Sequence, residues 1–351
     1  FLEDITHKYM REKGAGVRMK RVVRCFLYLT FLITCCSYVY AQDESIGRNV
    51  YGKEEEFVRS IPLDSFYAEE FEHTMYNALM ATMKNDGSQI SKYSPLEGRR
   101  QPGEEQCGMH INCCNANGPR GFALIPKTAC TIKDNHIYLN LYLPLQATIS
   151  LNKKNKVHLN VESDYPIHGK VNVNIGVQKK EKFTLALRIP TQIEKMKAYI
   201  NGEEQEITHK GGYLYIERIW ENADKVTLDF KIETKVVKLN NSQAIVRGPL
   251  LFARDSRFND GDIDECATIK CNNQGVIQAK IKKNKTGTFP WITLTVPAVL
   301  GTDLENVENK TPKLINFCDF SSSGNDWNPN GRYRVWIPQT FHAMSEPYKK
   351  Y

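Results

Sequence analysis

Cys107, Cys113 and Cys114, with His110 between them, make Gln106–Arg120 the most chemically loaded stretch of the chain. Adjacent cysteines rarely bond to each other without backbone strain. A third thiol six residues upstream therefore points to soft-metal ligation or to a reactive thiolate. Zinc takes about four ligands drawn from thiolate, imidazole and carboxylate. Cys107, Cys113, Cys114 and His110 supply that number, with Glu104 and Glu105 as further donors. A zinc-bound thiolate has lost its proton and can act as a nucleophile near neutral pH. On spacing alone two alternatives stay open: a Cys107–Cys113 disulfide with Cys114 buried and inert, or plain core thiols. The spacing matches no zinc-finger pattern.

At 351 residues the chain has room for two or three domains, each with its own core. The apolar share of 41% and charged share of 25% are those of a globular protein. The net charge of +7 comes from 47 basic and 40 acidic residues spread evenly, and Lys153-Lys154 and Lys282-Lys283 read as solvated turns. Nothing here makes a case for nucleic acid as a partner.

Met19–Arg24 is basic, Cys25–Cys36 is apolar, and Val39-Tyr40-Ala41 closes the run. That is the pattern of a cleavable signal peptide over residues 19–41, and it predicts a secreted or periplasmic protein. Residues 1–18 read as an out-of-frame leader and 42–64 as a polar linker. Secretion places Cys107, Cys113, Cys114, Cys130, Cys266, Cys271 and Cys318 in an oxidising compartment. Their odd number leaves at least one unpaired or assigns some to metal, and Cys266 and Cys271 are close enough in sequence for a local disulfide.

The elements that must position these residues change period along the chain. Ser65 reads as an N-cap with Glu69 and Glu70 in the first turn, where the helix dipole favours acids. Phe71, Met75, Ala78 and Leu79 recur at helical spacing, predicting an amphipathic helix over 66–83 that Asn85-Asp86-Gly87 stops. Phe122–Ile125 predicts a short helical turn before Pro126. From Ile137 the period becomes two, through Val157–Val161, Val171–Ile175, Phe183–Ile189, Tyr213–Trp220 and Val226–Ile232. Asn201-Gly202 is a type I′ hairpin signal. Further strands are expected near Gln243–Val246, Trp291–Val296 and Tyr333–Ile337. The fold class is therefore mainly β: tandem antiparallel sandwiches over 135–240 and 241–351, after a short helical region over 65–134. The loop Asn259–Glu265 is acid-rich but lacks the spacing of an EF-hand.

Gln106–Arg120, which contains Cys113-Cys114-Asn115-Ala116-Asn117, resembles the Cys-Cys-x-x-Asn segment of glycoside hydrolase family 127, the β-L-arabinofuranosidases, and of the related family 146. Phe71–Met80 resembles that family's late barrel helix, Tyr93–Glu97 its Tyr-x-x-Pro-Leu strand, and Arg247–Leu250 its Gly-Pro turn. The likeness runs over about Ser65–Tyr351. It implies an (α/α)6 barrel followed by β-sandwiches and a retaining mechanism with a zinc-bound cysteine nucleophile. Carried over by position, Cys113 is the nucleophile and a zinc ligand, and Cys114 is a second ligand. No Glu-x-Cys pair lies upstream as the family has it, so Glu105 and Cys107 stand in as the remaining ligands. Cys113 would attack the anomeric carbon while a glutamate protonates the leaving oxygen and then activates water. Tyr93 and Trp327 are candidate substrate contacts, and the expected substrate is an arabinose-containing plant glycan or glycoprotein sugar.

One helix cannot make a twelve-helix barrel, so the resemblance also implies an N-terminally truncated enzyme, inactive alone or completed by a separately encoded barrel half. The competing expectation is a secreted carbohydrate-binding β-sandwich protein. In it Trp327, set in the loop Gly324–Asn330, would be the exposed stacking platform, with Trp220 and Trp336 buried.

Overall fold

Ser65 to Thr82 forms one continuous helical element, α1, in the computed structural model, with a π-helical stretch at Thr74–Leu79 between α-helical ends at Ser65–His73 and Met80–Thr82. The structure describes residues 65–108, 113–152, 155–207, 209–301 and 311–339. The leader, signal peptide and linker expected over 1–64 lie outside the described residues, as do His110 and the side chain of Cys107. The buried side of α1 differs from the expected stripe: it carries Ala68, Glu69, Glu72, Met75 and Tyr76. Glu69 is therefore packed inward instead of facing solvent at the helix start. A second, five-residue helix, α2, runs Gly103–Cys107.

Helix α3, Cys114–Ala129, corrects the expectation of a short turn before Pro126. Pro119 and Pro126 both lie inside it, each removing one helical hydrogen bond. Packing offsets that loss. A Cβ added at Gly118 would land on the Ile90 side chain, and one at Gly121 would lie 3.0 Å from Leu79. The two glycines thus let α3 press closely against the end of α1 and the segment that follows it.

The first β unit places two sheets face to face. Strand β1 (Glu97–Gly98) belongs to the second unit; β2 (Cys130–Lys133), β3 (His136–Leu139), β4 (Leu145–Asn152), β5 (Asn155–Ser163), β6 (Lys170–Val177) and β7 (Glu181–Arg188) follow in the chain. Then come β8 (Ile193–Ile200), β9 (Glu203–Gln205), β10 (His209–Lys210), β11 (Tyr213–Trp220) and β12 (Asp224–Ile232). The described strands order as β10-β11-β7-β3-β2 in one sheet and β4-β5-β6-β12-β8-β9 in the other. Alternating residues meet between them, among them Ile137, Leu185, Leu187 and Trp220 from one sheet and Val157, Leu159, Val173, Val226 and Leu228 from the other. The β8–β9 turn has positive φ at both Asn201 (53°) and Gly202 (92°), as a type I′ hairpin requires.

The second β unit is one sheet rolled on itself. It comprises β13 (Thr234–Leu239), β14 (Ser242–Arg247), β15 (Leu250–Asp255), β16 (Ala267–Ile269), β17 (Lys280–Lys283), β18 (Ile292–Leu300), β19 (Lys313–Asp319), β20 (Tyr333–Arg334) and β21 (Ile337–Pro338), with β1 paired to β20. Pairing runs β14-β15-β19-β18-β16, and a bridge from Ala267 to Gln339, just after β21, leads back to β14. Ile245, Phe252, Leu294, Val296, Phe317 and Ile337 fill the interior. Strand β13 pairs with β14 along its whole length, so it is described with the second unit. In the acid-rich loop, Asp260 is held by Arg254 at 2.9 Å, and Asp264 by Arg332 at 2.6 Å and Arg334 at 2.9 Å.

Helix α1 docks on the first unit through buried charge. Glu72 and Arg188, both fully buried, pair at 2.6 Å. Tyr165 donates to Glu72 Oε2 at 3.0 Å, Arg188 Nε donates to the Asn140 carbonyl at 2.5 Å, and Tyr142 donates to the Arg188 carbonyl. Burial works against the Arg188 charge, and the Glu72 carboxylate more than offsets it, holding the guanidinium above its ordinary value. Glu69 accepts from the backbone and hydroxyl of Thr191 and from Gln192. Removing one partner leaves the other charge buried and alone. Glu72→Ala is therefore expected to lower unfolding free energy by about 3–5 kcal/mol, read from the urea midpoint; a loss under about 1 kcal/mol would contradict the docking role.

Candidate functional site

Cys113 sits immediately ahead of α3 as its N-cap residue, with helical backbone angles (φ −62°, ψ −18°), and Cys114 is the first residue of that helix. The Cys113 carbonyl accepts from Ala116 and Asn117 N–H, both at 3.1 Å, while its side chain makes no capping bond. The positive end of the helix dipole thus lies at the two thiols. Cys113 is an exposed, free thiol, and the Cys107–Cys113 disulfide alternative involves a side chain outside the described residues. Cys114 is half-buried.

The residues just outside the thiols are tied to one stretch of backbone. Gln106, on α2 beside Glu105 and Cys107, accepts from Lys92 N–H at 2.6 Å and Tyr93 N–H at 3.2 Å, and donates to the Tyr93 carbonyl at 2.9 Å. Asn115 Oδ1 accepts from Ile90 N–H at 2.9 Å. Segment 90–93 is in turn braced on α1 by Ser91, whose N–H and hydroxyl both donate to the Thr82 carbonyl, at 2.8 and 3.2 Å. The fold therefore ties Gln106, next to Glu105, and Asn115, next to Cys114, to the segment that carries Tyr93. Tyr93 is 54% exposed, and Glu105 is exposed on α2.

Trp327 is on the loop after β19, which is joined to the turn after α1 through the Asn85 N–H and the Asn325 carbonyl at 2.9 Å. It has positive φ (55°), its N–H donates to the Gly324 carbonyl at 3.1 Å, and its buried indole N–H has no partner among the described residues. It is half-buried. Trp220 is fully buried and donates to the Phe183 carbonyl at 3.0 Å, and Trp291 and Trp336 are half-buried.

Sequence reasoning treated Gln106 and Asn115 only as parts of a motif, and it missed Glu72 and Arg188. For Glu72 a signal was available, since an acid three residues ahead of Met75 on an apolar face must find a partner when buried. Nothing local marked Arg188.

Among the described residues, no group of three or more His, Cys, Asp and Glu side chains converges to hold a metal. Cys113 and Cys114 are two thiolate donors where zinc needs about four, so the described set does not by itself fit the ion. Cys266 and Cys271 are both free thiols, correcting the expected disulfide. Strand β16 runs between them and extends the chain by roughly 3.3 Å per residue, beyond disulfide reach. Burial pushes the Cys130 thiol up to about 12 and the Cys318 thiol well above its ordinary value.

The sequence model described as "Beta-L-arabinofuranosidase, GH127 middle domain" matches residues 136–232, the first β unit nearly end to end. Among solved structures, a GH127 β-L-arabinofuranosidase from Geobacillus stearothermophilus T6 aligns with TM-score 0.63 at 21% identity, covering 80% of this chain and 47% of its own. A protein described only as a glycoside hydrolase aligns at 0.61 and 23% identity, covering 79% and 49%. A GH127 β-arabinofuranosidase aligns at 0.61 and 22%, covering 79% and 46%. This chain thus spans about half the length of the structures it resembles. No curated protein matches it.

Exposure and burial together order the thiols. Iodoacetamide at about pH 8 is expected to alkylate Cys113 and Cys271 at least about tenfold faster than Cys130 and Cys318, read by peptide mass spectrometry. Raising the pH from 9.0 toward about 12 should also cost stability, because the folded state keeps the Cys130 proton that the unfolded chain releases. A Cys130→Ala variant should lose that part of the alkaline dependence.

Proposed function

Starting from a chain that carries the GH127 middle domain over residues 136–232, we propose that this protein acts in glycoside hydrolysis on arabinose-containing glycans, of plant or glycoprotein origin, with Cys113 as the nucleophile. The observation that carries the reading is the exposed Cys113 thiol, set beside Cys114 at the start of α3, the helix that leads into the matched domain.

In this reading the Cys113 thiolate attacks the anomeric carbon and the leaving oxygen takes a proton from a carboxylic acid. Water, deprotonated by the same carboxylate, then displaces the sulfur, so the configuration is retained. In this reading segment 90–93, bonded to Gln106 and Asn115, braces the stretch that carries the thiols, and the exposed Tyr93 ring would offer a surface for the sugar. The carboxylic acid comes from outside the described residues, supplied by another part of the protein or by a separately encoded barrel half. Zinc belongs to the proposal as an ion that Cys113 and Cys114 would help hold, where it would keep the thiols deprotonated. No step is assigned to it, because Glu105 is exposed on α2 and the described donors stop at two. Export to the periplasm or the medium is also part of the proposal, resting on residues 19–41.

The test measures zinc per chain and hydrolysis of a nitrophenyl β-L-arabinofuranoside, for the chain purified under reducing conditions and for Cys113→Ser and Cys114→Ser. About one zinc per chain, lost in Cys114→Ser, and hydrolysis lost in Cys113→Ser would support it. Hydrolysis unchanged in Cys113→Ser would sink the nucleophile assignment. Glycan binding with neither zinc nor hydrolysis would favour a carbohydrate-binding protein instead.

A further inference from the structure

We propose that Asn115 and Gln106 are positioning residues, two side-chain amides that fasten both sides of the thiol-bearing segment to the single backbone stretch Ile90–Tyr93. The inference rests on the reading of Cys113 and Cys114 as the working thiols and adds how they are held.

Three observations converge on it. Gln106 acts as a strand edge would, accepting from two N–H groups and donating to the Tyr93 carbonyl, so its amide orientation is set from both ends. Asn115, directly after Cys114, accepts from Ile90 N–H at 2.9 Å and fixes the first turn of α3. Ile90 is itself buried, bridges to Met83 in antiparallel fashion, and lies where a Cβ on Gly118 would collide. The same residue therefore sets the height of α3 and, through Asn115, its rotation. A nucleophile must be held within a fraction of an ångström of its attack line, and residues that act through other groups commonly do this. Neither amide touches a reacting atom in this arrangement. Their role is to keep Cys113 outward and Cys114 half-buried.

The experiment reads thiol reactivity and amide exchange on the full chain, without using hydrolysis. In Asn115→Ala, Ile90 N–H should exchange about fivefold faster, and Cys114 should be alkylated by iodoacetamide at least about threefold faster. Asn115→Asp keeps an oxygen acceptor and should keep Ile90 protected. Gln106→Ala should release Lys92 and Tyr93 N–H, whereas Gln106→Glu, which retains the acceptor, should release neither. In every variant Cys318 should stay unreactive, which reports an intact core. The proposal is overturned if Cys114 reactivity stays within about twofold of the native rate in both alanine variants. It is equally overturned if Cys318 becomes reactive in parallel, since the effect would then be general unfolding. Failure of the glycosidase reading would leave these readouts unchanged, so the two can fail separately.

Discussion

The contact on which the helical region depends is the Glu72–Arg188 pair. Both groups are fully buried, so each would carry a large desolvation cost alone, and only their mutual approach at 2.6 Å makes the position tolerable. Glu72 Oε1 and Arg188 Nη1 are buried without a hydrogen-bond partner among the described residues. A pair left partly unsatisfied adds little net stability over a hydrophobic contact, but it permits one register of α1 on the sandwich and penalises every other. Tyr165 and Tyr142 close the cluster, and burial followed by the charge of Glu72 raises the Tyr165 hydroxyl well above its ordinary value. The phenols thus stay neutral donors around the ion pair.

From that dock, polar side chains bonded to backbone carry position outward. Within the π-helical stretch, Asn77 donates to the Pro249 carbonyl at 2.7 Å and accepts from Leu251 N–H at 2.9 Å, joining α1 to the second β unit. A π-bulge in a helix commonly marks a functional constraint, and here it turns an amide onto a strand end. Fully buried Arg100 lies between the Phe320 and Tyr333 rings, 4.8 and 4.9 Å from their centres, and donates to the carbonyls of Ala81, Ser323 and Phe320. Burial lowers its pKa, with the ring faces and carbonyls around it standing in for water. The end of α1 is thereby pinned from two directions, and segment 90–93, with the thiols bracketed on it, inherits a defined place.

Much of the fold was legible in the chain. The period-two runs from Ile137 to Ile232 became strands of the first unit, because a sheet with one face on a core requires that alternation. Asn201-Gly202 formed the turn its left-handed angles allow. The helix over 66–83 was legible too, although its buried face was not, since Glu69 and Glu72 look solvent-facing until their partners on the sandwich are known. Helix α3 was missed for a physical reason. Pro119 and Pro126 are local breakers, and only the close approach of Gly118 to Ile90 and Gly121 to Leu79 outweighs them. The closure of the second sheet through Ala267 and Gln339 joins strands distant in sequence and leaves no local mark.

The candidate site divides in the same way. Residue chemistry alone singled out Cys113 and Cys114, because adjacent thiols are poor disulfide partners and good soft donors, and it brought Tyr93 and Glu105 into consideration by resemblance. The three-dimensional fold decided that Cys113 is exposed at a helix start, that the Tyr93 backbone is bound by Gln106, and that Trp327 is half-buried. Sequence determines which groups a chain owns and, through periodicity, which face of an element is apolar. Which buried acid meets which buried base, and which amide reaches which backbone, depends on contacts between residues far apart in the chain. Those contacts exist only once the apolar faces have packed, and so only the tertiary structure could decide them.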